Sequence, residues 1–220
     1  MRTVVFDLDG TLADTSADLI AAANHCFDAL QAEVRLDPLA DAGVAFHGAR
    51  AMLRLGLSRM GAVDDEVIER WYPDLLSAYG DAICVHTRLY PGAMEAVEAL
   101  RDAGMRVSIC TNKPEGLART LLEQLGVLDR FGALVGADTL PVRKPDAAPY
   151  IAAVTRAGGT PAQSLIVGDT ETDRKTAAAA GVPCILVGFG PEGTAVSRFS
   201  PEAMISHFDE LPATVARLLP

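Results

Sequence analysis

Asp7 and Asp9 stand two positions apart in Val4-Val5-Phe6-Asp7-Leu8-Asp9-Gly10-Thr11-Leu12, and no other pair in the chain is better placed to do chemistry. The run before them is apolar and β-branched, which reads as a buried parallel strand. Side chains alternate along a strand, so the two acids flank Leu8 and share one side while the backbone stays extended. Carboxylates that close repel each other and raise a pKa, a conflict that a divalent cation removes. In an open α/β sheet, the carboxyl ends of the strands are where ligands bind. A strand end followed by an Asx-type turn is the ordinary alternative.

Three further stations have the same character. In Ile109-Cys110-Thr111-Asn112-Lys113-Pro114 a strand-like run ends in a hydroxyl and an amide before a helical pattern. Thr111 can donate to an oxyanion, and the helix start offers backbone donors. Arg143-Lys144-Pro145 puts an ammonium before another helix, a mobile point charge suited to a phosphoryl group. Gly168-Asp169-Thr170-Glu171-Thr172-Asp173 sets two acids four residues apart at a helix start. With Asp7 they make a hard-oxygen site suited to Mg²⁺. Taken singly, an N-cap, a solvated lysine and dipole compensation would account for these three.

The elements that must position these groups can be read from apolar spacing. Strand-like runs cover 105–110, 133–135, 164–167 and 183–187, and helical patterns cover 92–103, 115–125, 147–157 and 170–180. Such alternation predicts an α/β fold, a Rossmann-like open parallel sheet with right-handed crossovers. The stretch 16–85 breaks the rhythm. Leu19, Ile20, Ala23, Cys26, Phe27 and Leu30 have helical spacing behind Ser16 as N-cap, Met52 to Leu57 suggest a second helix, and Val67 to Tyr79 a third, broken near Pro73. The expected organisation is therefore a catalytic core of 1–15 and 86–220 with a small all-helical domain, 16–85, inserted after the first strand. Gly188-Phe189-Gly190-Pro191-Glu192-Gly193 reads as a flexible turn rather than a phosphate loop.

Composition narrows the partners. With 220 residues and half of them apolar, the chain can bury a sizeable core. A net charge of −10 disfavours nucleic acid. No apolar run approaches the ~18 residues of a membrane span. No secretory signal is visible, and Cys26, Cys84, Cys110 and Cys184 lack metal spacing, which reads as reduced thiols of a cytoplasmic protein. Only three lysines occur, Lys113, Lys144 and Lys175, so an anionic substrate depends on a local positive site.

Taken in order, Asp-x-Asp, Thr-Asn, Lys-Pro and Gly-Asp-x-x-x-Asp at four strand ends resemble the haloacid dehalogenase-like superfamily across essentially all 220 residues. The helical insert looks like that family's small cap domain. The surroundings of Asp14 and Ala177 to Val182 are most similar to the phosphoglycolate phosphatase branch. The resemblance implies a Mg²⁺-dependent phosphomonoester hydrolase acting through an aspartyl-phosphate on a small phosphorylated metabolite, with 2-phosphoglycolate the first candidate. It implies Asp7 as nucleophile and Asp9 as general acid and base. Asp7, Asp169 and the Asp9 carbonyl are the implied metal ligands, with Asp173 holding a metal-bound water or orienting Lys144, and Thr111, Asn112 and Lys144 binding phosphoryl oxygens. His47 and Arg50, beside Gly48 in the insert, are candidate substrate contacts. A sugar phosphate or nucleotide phosphatase and a phosphosugar mutase share every core residue, and a non-catalytic phosphometabolite-binding module is the alternative of a different class. The protein is expected to work as a monomer or homodimer, without nucleic acid or membrane partners.

Overall fold

Short apolar runs alternating with one-sided helices can bury both faces of a sheet only by stacking helices above and below it. The computed structural model describes residues 1–219. Its strands are β1 (Thr3–Phe6), β2 (Ala13–Asp14), β3 (Arg88–Leu89), β4 (Arg106–Cys110), β5 (Leu134–Val135), β6 (Ser164–Gly168), β7 (Cys184–Val187) and β8 (Ala203–Ile205). Six of them form one sheet in the order β5-β4-β1-β6-β7-β8, and every pairing in it is parallel. β1 lies inside the sheet between β4 and β6, which is why all four of its residues are buried. The order reverses at β1, so a crevice opens at the carboxyl ends of β1, β4 and β6.

The chain divides into two units, Met1–Ala13 with Leu89–Pro220, and Asp14–Arg88. In the first unit, helices covering the sheet are α5 (Ala93–Asp102), α6 (Glu115–Gln124), α7 (Ala147–Arg156) and α8 (Glu171–Ala180), with α9 (Leu211–Leu218) near the carboxyl end. Val5, Cys110, Val135, Tyr150, Val154, Ile166 and Leu186 form a core cluster under the crevice. Each large aliphatic side chain buried there contributes about 1.5–3 kcal/mol, and the packed layer fixes the strand ends above it.

The second unit holds α1 (Ser16–Ala29), α2 (Ala42–Ala45), α3 (Ala49–Arg59) and α4 (Asp65–Asp81). Two details differ from the sequence expectation. Ser16 is the first helical residue of α1, not its cap: Asp14 Oδ1 accepts from the Ser16 N–H at 3.0 Å and from its hydroxyl at 2.6 Å. A carboxylate is the stronger acceptor and also suits the helix dipole. α4 runs unbroken through Pro73, because Ile68 on one side and Leu75 and Tyr79 on the other are buried, and the helix packs on both α1 and α3. Tertiary burial there overrides the lost backbone bond. The unit also extends past residue 85. Asp18 of α1, almost fully buried, accepts from the His86 N–H at 3.0 Å and from the Thr87 N–H and hydroxyl at 2.8 and 2.7 Å.

Candidate active site

β-ladder register assembles the site. Phe6 is paired with Ile109 and with Val167, so Asp7 lies level with Cys110 and Gly168, the last residues of β4 and β6, and Thr111 and Asp169 follow one residue later. The Asp7 N–H still donates to the Val167 carbonyl at 2.9 Å, and the Thr111 N–H to that of Val135 at 2.9 Å. After Asp9 the chain turns at Gly10, whose φ of 80° favours glycine. That turn brings the buried Thr11 hydroxyl to Asp169 Oδ1, to which it donates at 2.8 Å.

Lys144 is buried between two carboxylates, 2.7 Å from Asp173 Oδ1 and 3.0 Å from Asp7 Oδ1. Asp173 is fully engaged. Its second oxygen accepts from the Thr170 N–H at 3.1 Å and hydroxyl at 2.7 Å, closing a capping box on α8, and from the Asp169 N–H at 3.3 Å. Gly168 makes this possible, since a Cβ there would lie 2.3 Å from Asp173 Cγ. Asn112 donates its amide to the Lys144 carbonyl at 3.1 Å, tethering the loop that carries the ammonium. The start of α6 offers less to an anion than its sequence suggests, because the Glu115 N–H donates to Asp138 Oδ1 at 2.7 Å.

Asp7, Asp169 and Asp173 present ligand oxygens within 4.8 Å of one another. With Lys144 as their ion-pair partner, three carboxylates and one ammonium leave a formal charge of −2. Burial, followed by the neighbouring acids Asp173 and Asp9, raises the Asp7 carboxyl to about 6 against the pull of Lys144. Burial and the charges of Asp173 and Asp7 push Asp169 well above the usual range. Burial alone would lower the Lys144 ammonium, but Asp173 and Asp7 hold it above its ordinary value. Asp169 Oδ2 is a buried oxygen that accepts no hydrogen bond. The unbonded Asp169 oxygen, the excess negative charge and the mutual proximity of the carboxylates fit an oxygen-ligated divalent cation.

Three contributors were not legible as such. Lys113, buried, places Nζ 2.8 Å from Asp9 Oδ1; the scarcity of lysine was the available signal. Thr11 supports Asp169, as described. Gly190, expected in a flexible turn, lies against the site: a Cβ there would sit 2.8 Å from the Gly10 carbonyl oxygen and 3.2 Å from Asp169 Cβ. Its neighbour Phe189 packs between Tyr90 and Phe208, with ring centroids 5.2 and 5.0 Å away. The segment buttresses the crevice, and a 3-10 turn, Gly193–Phe199, follows it. His47 is exposed, and Arg50 near the start of α3 is a bidentate partner of Glu69 at 2.6 and 2.8 Å, stacked 3.6 Å over the Tyr72 ring.

A family model described as haloacid dehalogenase-like hydrolase matches residues 1–181, and the chain belongs to that family. The resemblance read from the four stations is thereby borne out. Among curated relatives, a phosphoglycolate phosphatase of Mesorhizobium japonicum is 39% identical over 98% of this chain and 95% of its own length. One of Rhodospirillum rubrum is 38% identical over 96% and 89%. A solved structure of a predicted phosphoglycolate phosphatase from Haemophilus somnus 129PT superposes with a TM-score of 0.84 at 23% identity, covering 97% of both chains. Among the described residues no helix is long and apolar enough to cross a membrane.

Proposed function

We propose that the protein is a Mg²⁺-dependent phosphomonoester hydrolase whose substrate is 2-phosphoglycolate. The observation that carries the reading is the buried group Asp7, Asp169 and Asp173 around Lys144, in which Asp169 Oδ2 accepts no hydrogen bond. The substrate assignment rests on the full-length relatives. The Asp7 and Asp169 carboxylates and the Asp9 carbonyl would hold Mg²⁺, which supplies Lewis-acid charge for the phosphoryl oxygens.

Asp7 attacks phosphorus, forming an aspartyl-phosphate as the bond to the ester oxygen breaks. Asp9 delivers a proton to that oxygen, releasing the alcohol, and then takes one from the water that attacks phosphorus and frees phosphate and Asp7. Lys144, Thr111 and the remaining amide hydrogen of Asn112 face the phosphoryl oxygens, whose charge spreads in the transition state. Asp173 acts through Lys144, fixing the ammonium. Arg50 and His47 are assigned a part in choosing the leaving group.

Phosphate release should be measured with 2-phosphoglycolate, a hexose phosphate and a nucleoside monophosphate, with Mg²⁺ and with excess chelator. Activity is expected with Mg²⁺, highest on 2-phosphoglycolate, and recoverable after chelation by adding Mg²⁺ back. Full turnover in chelator overturns the metal assignment, and a preference for another ester overturns the substrate.

Gly190→Ala tests the buttress. The added methyl pushes on the Gly10 turn and on Asp169, so kcat is expected to fall roughly tenfold to a hundredfold with little change in melting temperature. An unchanged kcat would show that this segment yields without moving the site.

A further inference from the structure

Lys113 has no part in the proposed chemistry, yet it is one of only three lysines and is 7% exposed. The exposed Lys175 pairs with Glu171 four residues away, and Lys144 is taken up by Asp7 and Asp173. Lys113 instead reaches Asp9, with Nζ to Oδ1 at 2.8 Å and both side chains mostly shielded. Its backbone is fixed as well: its N–H donates to Thr111 Oγ1 at 3.1 Å, and its carbonyl accepts from the Ala137 N–H at 3.0 Å. A buried ammonium is costly unless an anion lies beside it, so its location marks where negative charge is stabilised.

In the proposed reaction Asp9 contacts the ester oxygen. An ammonium bonded to Asp9 therefore lies within about 8 Å of that oxygen, two hydrogen-bond lengths and the span of one carboxylate in series. A carboxylate carried one methylene beyond the ester oxygen lies within about 4 Å of it, inside the reach of the same ammonium. A neutral alcohol offers that ammonium nothing comparable. We infer that Lys113 reads an anionic group next to the phosphate ester, so that the fixed core of this enzyme selects small α-carboxylate phosphomonoesters. Asp9 Oδ1 marks the position beside Lys113 that an oxygen of such a carboxylate can share. This inference rests on the phosphatase reading and deepens it.

The test compares 2-phosphoglycolate with ethyl phosphate, which has the same phosphoryl group and a similar length but no carboxylate. In Lys113→Met the ratio of kcat/KM values, 2-phosphoglycolate over ethyl phosphate, is expected to fall at least tenfold, through KM for 2-phosphoglycolate. Lys113→Arg should restore most of the ratio. Calorimetry with Mg²⁺ present should show glycolate binding to the wild-type protein and at least tenfold weaker binding to Lys113→Met. If Lys113→Met melts below the assay temperature, Lys113→Gln, which keeps a donor toward Asp9 without the charge, takes its place with the same expectation. Equal losses on both esters, which mean that Lys113 only positions Asp9, overturn the inference, and so does an unchanged ratio. A wild-type protein that hydrolyses neither ester refutes the phosphatase reading itself, whereas one that hydrolyses both without preference refutes only the role of Lys113.

Discussion

Asp7→Asn is expected to lower kcat by on the order of 10³-fold or more while leaving the fold intact, because no other group is placed to form the acyl-phosphate. The amide nearly matches the carboxylate in shape and removes one negative charge from an over-acidic cluster, so the melting temperature should hold or rise. Asp9→Asn should also be severe, but differently. Its Asp7 can still be phosphorylated by an ester with a good leaving group, and the intermediate then persists because water is not activated. Mass spectrometry after acid quenching would show about 80 Da added to Asp9→Asn and none to Asp7→Asn, the mass of one HPO₃ held as a mixed anhydride on the Asp7 carboxylate. Near-normal turnover by Asp7→Asn would instead favour direct attack by water.

Lys144→Met should be the most damaging change for stability, since it leaves Asp7, Asp169 and Asp173 buried together without their cation. Breaking a buried pair costs about 3–5 kcal/mol, which for a domain of this size lowers the melting temperature on the order of 10 °C. The loss should depend on pH with a definite sign. In the folded wild-type protein burial raises the Asp7 carboxyl from 3.8 to about 6, and Lys144 is what opposes the rise. An acid whose folded value lies above its unfolded one costs nothing below the unfolded value, and the penalty grows with pH until it passes the folded value. The gap between variant and wild type should thus be smallest below about pH 6, where Asp7 is protonated in both folded proteins, and widen as pH rises through 6 to neutral and beyond, where only the wild type has Lys144 beside the ionised carboxylate. Adding Mg²⁺ should narrow it at neutral pH. A gap independent of pH would mean that Lys144 is held by packing alone. Activity should fall as well, by on the order of 10²-fold or more, with loss of a phosphoryl contact.

Much of this arrangement could be read from local sequence because buried parallel strands demand unbroken apolar runs, and chemistry at their ends must be carried by the next few residues. Asp7, Thr111 and Asp169 are visible for that reason, and Lys144, nine residues past β5, through the scarcity of lysine and the proline after it. What escaped notice depends on partners far apart along the chain. Asp9 meets Lys113 across 104 positions, and Thr11 meets Asp169 across 158, so nothing in either neighbourhood names the other. The glycine-rich surroundings of Gly190 carry no periodicity and so suggest a flexible turn, although close backbone approach requires a residue without a Cβ. Local rules fail at Ser16 and Pro73: a nearby carboxylate displaces the first, and burial on both sides of the proline overrides the second. The edge strand β8, three residues long, is too short to announce itself.

The pairing of β2 with β3 bears on how this chain tolerates change. The 75 residues Asp14–Arg88 enter and leave through neighbouring backbone, and on the core side the Tyr90 N–H donates to the Leu12 carbonyl at 2.9 Å. Two ends already held side by side make the intervening length nearly irrelevant to closing the sheet, because loop-closure entropy rises only with the logarithm of length. The insertion point is therefore a socket. Segments of different size and chemistry can be exchanged there over evolutionary time, or by a protein engineer, without altering the register that aligns Asp7, Thr111 and Asp169.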